Sequence, residues 1–269
     1  MKINSKIASA SLLLLVILAS CGSNNGSSNV LKVGVQAGPE YSLAEAAQKV
    51  AKEKYNLDVE LVSFNDYVMP NEALQQKDID VNVFQTKPYL DVQTESRGYQ
   101  LAIVGNTFVY PMAGYSKKIK NINELKNGDT IVIPNDPTNL GRALLLLQEI
   151  GLIKLKDKVG LLPRLQDITE NRLNLTILEL EAPQLPRTLD DDKVTVAVIN
   201  NNFAASNNLT AKRDGIFVEN EKSPYVNIIV SREDNKNDEK VKTFVKAYQS
   251  DEVEAKAEEA FKGGAVKGW

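Results

Sequence analysis

From Val30 onwards the chain alternates short apolar segments with amphipathic segments, and this alternation restricts its fold more than any other feature. Residues 31–35 have the pattern of a buried strand. A helix is expected next, opened by a capping box at Ser42 and Glu45 and closed at Asn56. Repeated strand–helix units predict parallel sheets covered by helices, so the expected fold class is α/β.

Further units follow in two series. Strands are expected at residues 59–64, 81–84, within the apolar stretch 101–115, and at 130–134, 175–180, 194–199 and 225–231. Helices are expected after Pro70, through Tyr89, at 139–150 and across 238–261. The series fit one large doubly wound sheet, or two lobes between which the chain crosses near residues 110–114 and 223–228. The composition does not separate these two architectures.

The N-terminus has the pattern of a lipoprotein signal. Basic residues precede a short apolar run at residues 12–18, and small residues lead from it to Cys21. The run is too short for a permanent membrane-spanning helix. We expect residues 1–20 to be a signal peptide, Cys21 to carry lipid, and residues 21–29 to form a flexible Gly/Ser/Asn tether. The alternative is a secretory signal in which the cysteine has no role.

The composition argues against several classes of function. The chain carries 32 Lys and Arg against 35 Asp and Glu side chains, and this acidic balance argues against a nucleic-acid partner. It has one cysteine and no histidine, so an internal disulfide and a His-based catalytic triad are excluded. It has no phosphate-binding Walker loop and no GxSxG motif. No metal-ligand cluster is evident, so we expect a non-enzymatic protein without a metal or cofactor.

The segment 134–142 is the strongest local candidate for ligand binding. It follows an expected strand and opens an expected helix, whose free N–H groups favour an anion. Arg142 at its end could add a two-pronged donor for a carboxylate. The alternative is an ordinary helix start, with Asp136 or Thr138 as the N-cap and Arg142 on a solvated face.

Aromatic and amide side chains follow other expected strands. Tyr67, Phe84 and Tyr89 lie at or beyond strand ends, where open α/β sheets bind ligands, and their rings suit an apolar or thioether group. Asn200 follows a strand and Asn227 lies inside one, where an amide needs its hydrogen bonds met. The alternatives are core packing for the rings and structural bridges or turn chemistry for the amides.

These residues carry a resemblance that covers essentially the whole chain after the tether. The chain resembles the NlpA/MetQ lipoprotein family, whose members bind methionine for ABC importers. The matching segments are GPE (38–40), FNDYVMPN (64–71), FQTKPYL (84–90), GNTFVYPMAGYS (105–116), IPNDPTNLGRALLLLQ (133–148), LEAPQLPRTLDD (180–191), AVINNNFA (197–204), SPYVNIIVSRED (223–234) and GGAVKGW (263–269).

The resemblance implies a periplasmic-binding-protein fold with two α/β lobes, two crossing strands and a ligand cleft between the lobes. The first lobe is expected at residues 30–115 plus 223–269, and the second at 116–222. The expected ligand-binding residues are Tyr67, Phe84, Thr86, Tyr89, Asn139, Arg142, Asn200 and Asn227. Among them Arg142 is expected to bind the carboxylate, and Asn200 and Asn227 to clamp the polar end. Thr86 replaces a histidine that the family usually carries, which leaves the ligand's identity open.

The function implied is capture of methionine and its delivery to the permease and ATPase subunits of an ABC importer. The L and D forms are not distinguished by the sequence. The alternatives are a methionine-containing dipeptide as ligand, or a structural surface lipoprotein without a transport role. The expected location is the cell membrane, with a lipid anchor and the domain on the periplasmic or extracytoplasmic side; outer-membrane anchoring is an alternative.

Overall fold

The computed structural model describes residues 30–220 and 223–269. The expected signal peptide, the cysteine expected to carry lipid, Cys21, and the whole expected tether, residues 21–29, lie outside the described residues. In the part of the chain that is described, no helix combines the length and the apolar character needed to cross a membrane.

The described elements follow the alternation seen in the sequence. The strands are β1 Val30–Gln36, β2 Asp58–Phe64, β3 Val81–Thr86, β4 Leu101–Val109, β5 Ala113–Tyr115, β6 Thr130–Pro134, β7 Ile153–Leu155, β8 Ile168–Asn171, β9 Thr176–Leu180, β10 Val196–Ile199, β11 Gly215–Val218, β12 Val226–Arg232 and β13 Val266–Lys267. The α-helices are α1 Pro39–Tyr55, α2 Met69–Gln75, α3 Lys87–Arg97, α4 Pro137–Glu149, α5 Asn201–Ser206, α6 Ala211–Asp214, α7 Glu239–Tyr248 and α8 Asp251–Phe261.

The strands form two main sheets. The first has the order β13-β4-β12-β3-β1-β2, with β1 parallel to β2 and β3, and β12 antiparallel to β3 and β4. The second has the order β11-β5-β10-β6-β9, with β6 parallel to β9 and β10. Strands β7 and β8 form a separate antiparallel pair. Two sheets with helices on their faces confirm the α/β class and select two lobes over a single doubly wound sheet.

The chain passes from the first sheet to the second between Val109 and Ala113, and it returns between Val218 and Val226. The first crossing comes earlier than the expected lobe boundary at residue 115. Strand β5, Ala113–Tyr115, is hydrogen-bonded to β10 and β11, so it belongs to the second sheet. The boundary expected at 222/223 lies inside the second crossing.

Helix α1 begins before the expected capping box. It starts at Pro39, after Gly38 with φ 95°, and Ser42 lies inside the helix. Proline at the first turn has no N–H to leave unpaired and its fixed φ suits a helix, so Pro39 sets the start instead of Ser42. The expected end at Asn56 is confirmed, because this residue adopts the left-handed conformation with φ 51°.

Each lobe has its own apolar core. In the second lobe α4 packs its leucines against the sheet, and Leu144 is fully buried among residues of β6, β7 and β10. The next residue, Leu145, is only partly buried at the edge of the same cluster. This helix also carries Arg142, so its packing determines where that side chain lies.

Leu144→Ala is therefore expected to lower the free energy of unfolding by about 2–5 kcal/mol, because the deleted side chain leaves a cavity in a closed core. Leu145→Ala is the matched control on the same helix and should cost less, since part of its side chain already contacts solvent. Chemical denaturation of both variants measures the difference. Equal losses for the two leucines would contradict this account of the core.

Candidate ligand-binding cleft

The candidate site is a cleft between the lobes, at the carboxyl ends of the parallel strands. Strands β1, β2 and β3 lead into it from the first lobe, and β6 and β10 from the second. The space between protein atoms in this cleft, including the part that is open to solvent, is about 390 Å³. Its lining residues are mostly aromatic, amide and charged: Glu40, Tyr67, Phe84, Gln85, Thr86, Tyr89, Tyr110, Asn139, Arg142, Asn200, Asn201, Asn202 and Asn227.

All of the ligand-binding residues expected from the sequence are in this lining. The structure thus brings them together from both lobes, although they are spread over 160 positions of the chain, from Tyr67 to Asn227. Their roles as ligand contacts stay predictions. Five lining residues, all with polar groups, were not among the ligand-binding residues expected from the sequence: Glu40, Gln85, Tyr110, Asn201 and Asn202.

One wall of the cleft is aromatic. The ring centroid of Tyr67 lies 6.0 Å from Phe84, 6.1 Å from Tyr89 and, across the lobes, 5.0 Å from Phe203. The Tyr89 hydroxyl donates to the Tyr67 carbonyl at 2.8 Å, and the Tyr67 hydroxyl donates to Asn202 Oδ1 at 2.6 Å. Burial raises the pKa of both tyrosines, so both hydroxyls keep the protons that they donate.

A buried amide network supports this wall from beneath. Asn71 and Gln85 exchange hydrogen bonds in both directions, at 2.8 and 2.7 Å, and Asn82 donates to Asn71 at 2.9 Å. All three residues are buried. Because buried amides need partners, the network fixes α2 against β3 and so holds the Phe84 end of that strand in place.

Arg142 is buried, and its guanidinium is already paired. Its Nε and Nη2 donate to the two carboxylate oxygens of Glu219, at 2.9 and 2.5 Å, and Nη2 also donates to the Tyr110 carbonyl at 2.9 Å. The Tyr225 ring lies beneath the guanidinium at 4.5 Å. The solvated-face alternative for Arg142 is wrong. The Nε and Nη2 donors, which were expected to bind a ligand carboxylate together, bind the carboxylate of Glu219 instead. No sequence pattern had indicated a role for Glu219.

An amide relay leads from the start of α4 to β10. Asp136 is the N-cap and accepts the Asn139 backbone N–H at 2.9 Å, and it also accepts the Asn139 side-chain amide. Asn139 Oδ1 in turn accepts from Asn200 Nδ2 at 2.7 Å. Burial raises the Asp136 pKa, and the hydrogen bonds from Asn139 oppose this shift. The hydrogen bond from Asn200 Nδ2 to Asn139 orients the Asn200 side chain. Its Oδ1 has no hydrogen-bond partner among the described residues.

Asn227 and Thr86 face each other in register between β12 and β3. Asn227 is buried, and its Nδ2 donates to the Phe84 carbonyl at 3.2 Å. It is thus a bridge between strands and a lining residue at once. Thr86 is buried at the start of α3, and its side chain makes no capping hydrogen bond there.

Glu40 is the acidic residue of the cleft that sequence reasoning missed. It lies in the first turn of α1 and is 5% exposed, and its Oε2 has no hydrogen-bond partner among the described residues. Burial raises the pKa of Glu40 to about 8. Its sequence signals were its place directly after Gly38-Pro39, beyond the end of a strand, and its presence in the segment GPE (38–40), which is part of the family resemblance.

Several contacts join the lobes around the cleft, so the described conformation is closed. Besides the contacts of Tyr67, the Asn201 side chain donates to the Gly264 carbonyl of the first lobe at 2.8 Å. Helix α3 of the first lobe also packs near α4 of the second. Among residues 30–220 and 223–269, no group of three or more His, Cys, Asp or Glu side chains could hold a metal ion.

Comparisons with known proteins agree with this architecture. The chain is 64% identical over 252 residues to the D-methionine-binding lipoprotein MetQ of Escherichia coli K12, covering 94% of this chain and 93% of that protein. It matches a crystal structure of the methionine-binding protein MetQ with a TM-score of 0.89 and 66% identity, over 90% of this chain and 98% of that one.

A third match comes from a structure that contains a ligand. A nutrient-binding protein from Burkholderia cenocepacia, solved bound to methionine, matches with a TM-score of 0.86 and 47% identity, over 89% of this chain and 100% of that one. The family model for NlpA lipoproteins matches residues 31–269. With this span, and with relatives alike over nearly the full chain, the protein belongs to the NlpA lipoprotein family.

Proposed function

We propose that this chain is the substrate-binding lipoprotein of an ABC importer and that it captures methionine in the cleft between its lobes. The observation that carries the proposal is the meeting of an aromatic wall with a buried, oriented guanidinium and two buried amides in one cleft. The methionine-bound structure with the same fold supports the choice of ligand. The lining offers binding groups for a small zwitterion, and we propose no catalytic role.

The aromatic wall would hold the thioether side chain. Tyr67, Phe84 and Tyr89 present ring faces and edges within about 6 Å of one another, and sulfur packs favourably against such rings. Burial of an apolar side chain here contributes binding free energy without a specific hydrogen bond. This wall therefore selects for a long, polarisable side chain.

Arg142 would bind the carboxylate of the ligand through the N–H groups of its guanidinium that do not donate to Glu219. A guanidinium has five N–H donors, and Nε and Nη2 are used on Glu219 and Tyr110. Nη1 has no hydrogen bond to the described residues and keeps two donors. Asn227 and Asn139 line the same cleft and add amide groups for the polar end of the ligand.

Delivery would depend on the closed conformation. The lobes meet through Tyr67, Asn202 and Phe203, and a hinge motion about the two crossings would open the cleft for ligand entry. The permease and its ATPase subunits would then recognise the closed form. A lipid anchor at Cys21 and the tether 21–29 would keep the domain near the permease, on the extracytoplasmic face of the cell membrane.

Isothermal titration calorimetry with L-methionine, D-methionine and glycyl-methionine tests the proposed ligand. We expect at least one free methionine enantiomer to bind with a dissociation constant at or below about 1 μM, because apolar burial and the charged contact with Arg142 act together. Tight binding of the dipeptide alone would move the assignment to a dipeptide carrier. No binding of any of the three compounds would contradict the proposed function.

Arg142→Ala should weaken methionine binding by at least about a hundredfold, since loss of one partner of a desolvated charge pair typically costs about 3–5 kcal/mol. The same change leaves Glu219 buried and unpaired, so the free energy of unfolding should also fall. The double variant Arg142→Ala/Glu219→Gln separates the two effects. It should recover part of the stability, measured by denaturation, without recovering affinity. A double variant that binds within about twofold of wild type would refute the role of Arg142.

Cys21→Ser tests the proposed anchor. The wild-type protein should carry lipid on an N-terminal Cys21 and sediment with membranes, whereas the serine variant should lack the acyl mass. Intact-mass spectrometry of membrane and soluble fractions makes the measurement. A wild-type mature N-terminus at any other residue, or one without lipid, would contradict the lipoprotein assignment of this chain.

A further inference from the structure

Helix α5 belongs to the second lobe, but it also contacts the first lobe. At its start the Asn201 side chain donates to the Gly264 carbonyl at 2.8 Å. The next two residues meet Tyr67, because Asn202 accepts its hydroxyl at 2.6 Å and the Phe203 ring lies 5.0 Å from its ring. The first turn of α5 is thus fixed to the first lobe by hydrogen bonds and a ring contact.

The last turn of α5 lies between the apolar cores of both lobes. Ala204 is fully buried in the core of the second lobe. Ala205, the next residue, is partly buried against the core of the first lobe. Ser206 ends the helix and meets Gly38, in the turn between β1 and α1. Helix α5 therefore packs on its own lobe through one face and on the first lobe through another.

The absence of a side chain at Gly38 allows the close approach of Ser206. A Cβ atom at position 38 would overlap Ser206 Oγ and would lie 3.5 Å from Ser206 Cβ. Because folded proteins are close-packed, a side chain here would displace Ser206 and loosen the contact between the lobes. Gly38 also has φ 95°, a conformation that glycine adopts far more readily than other residues. This contact between the lobes is therefore suited to a glycine.

Helix α5 is directly connected to the cleft. Asn200 is its N-cap and lines the cleft from the second lobe. Glu40, two residues after Gly38, lines the cleft from the first lobe. Because α5 begins next to Asn200, a motion that lifts α5 from the first lobe also separates Asn200 from Glu40 and widens the cleft.

We propose that α5 is the closure element of the cleft. Its docking on the first lobe, with Ser206 against Gly38, completes the cleft, and its release is the step that admits and frees the ligand. A hinge at the two crossings allows such a motion, and the α5 contacts decide when it occurs. This inference deepens the proposed function and rests on it for the identity of the ligand.

The docking contacts are weak enough to form and break while both lobes stay folded. An ordinary hydrogen bond stabilises a structure only modestly, and the small side chains of Ala205 and Ser206 bury little apolar surface. A ligand that bridges the lobes adds contacts that exist only while α5 is docked, so it favours the docked state. Ligand exchange should consequently follow the undocking of α5.

A reversible cross-link between α5 and the first lobe tests the proposal. In the variant Gly38→Cys/Ser206→Cys the two Cβ atoms would be 3.5 Å apart, which a disulfide can span. Both positions are exposed, so oxidant and reductant reach them. Gly98→Cys/Ser206→Cys is the matched control, because Gly98 lies in the same lobe, has φ 71° and has no neighbour within 4 Å of a Cβ. Both pairs carry Cys21→Ser, which removes the competing thiol.

The 38/206 pair should cross-link on mild oxidation, and the 98/206 pair should not. Oxidised 38/206 protein should release bound labelled methionine, and should take it up when empty, at least about tenfold more slowly than the reduced protein, because lid opening limits exchange. The control pair should exchange methionine equally under both conditions. A 38/206 pair that fails to cross-link, or that exchanges at the same rate when oxidised, would overturn the inference.

A second variant decides the question if the cysteine at position 38 prevents folding. Ala205→Phe places a ring between α5 and the core of the first lobe, so the lobes should stay apart. Ala255→Phe, at an exposed alanine on α8, is the matched control. With methionine present, X-ray scattering should give a larger radius of gyration for Ala205→Phe than for wild type and the control. Its affinity should fall by at least about tenfold, and an unchanged radius and affinity would contradict the role of α5.

Failure of the proposed function gives a different pattern. If wild type does not bind methionine but the 38/206 pair cross-links and the 98/206 pair does not, the ligand assignment is wrong and α5 remains the closure element. If methionine binds to the reduced 38/206 protein and no cross-link forms, only the role of α5 falls. Absence of both binding and cross-linking overturns both proposals.

Discussion

The buried ion pair between Arg142 and Glu219 is the interaction on which the arrangement of the cleft depends. Glu219 follows β11 and also accepts the backbone N–H of Met112, while Arg142 donates to the carbonyl of Tyr110. The pair thus ties α4 to both stretches of chain that cross between the lobes. Its members are 5% and 8% exposed, so either charge alone would be strongly unfavourable. The same contacts therefore fix both the junction between the lobes and the orientation of the guanidinium.

The cleft is completed only when the lobes meet. Its polar groups are divided between them, with Glu40, Thr86 and Asn227 on one side and Asn139 and Asn200 on the other. Direct contacts across the gap join the Tyr67 hydroxyl to Asn202 and the Asn201 amide to the Gly264 carbonyl. A ligand that bridges both sets of polar groups would favour closure through its stronger contacts with the closed state, which is the requirement for any ligand-driven conformational change.

Secondary structure was largely predictable from local patterns, and these patterns together with the family resemblance pointed to the residues that line the candidate cleft. Period-2 and period-3.6 apolar patterns identified β6 at its observed bounds and most other major elements within a few residues. The start of α1 was wrong because Pro39 is a stronger helix start than an internal Ser42. Residues at strand ends converged on one cleft because the carboxyl ends of parallel strands share an edge of their sheet.

The sequence by itself determined the α/β class, the family resemblance and the set of residues that converge on the cleft, since these depend on local period, turn chemistry and motif order. The two lobes were expected from the family resemblance, but only the tertiary structure decided that β5 joins the second sheet and that Arg142 is held by Glu219, 77 residues away. It also decided that Glu40 is buried, with an Oε2 that has no hydrogen-bond partner among the described residues. Burial and charge pairing arise from elements distant in the chain, so no local pattern carries them.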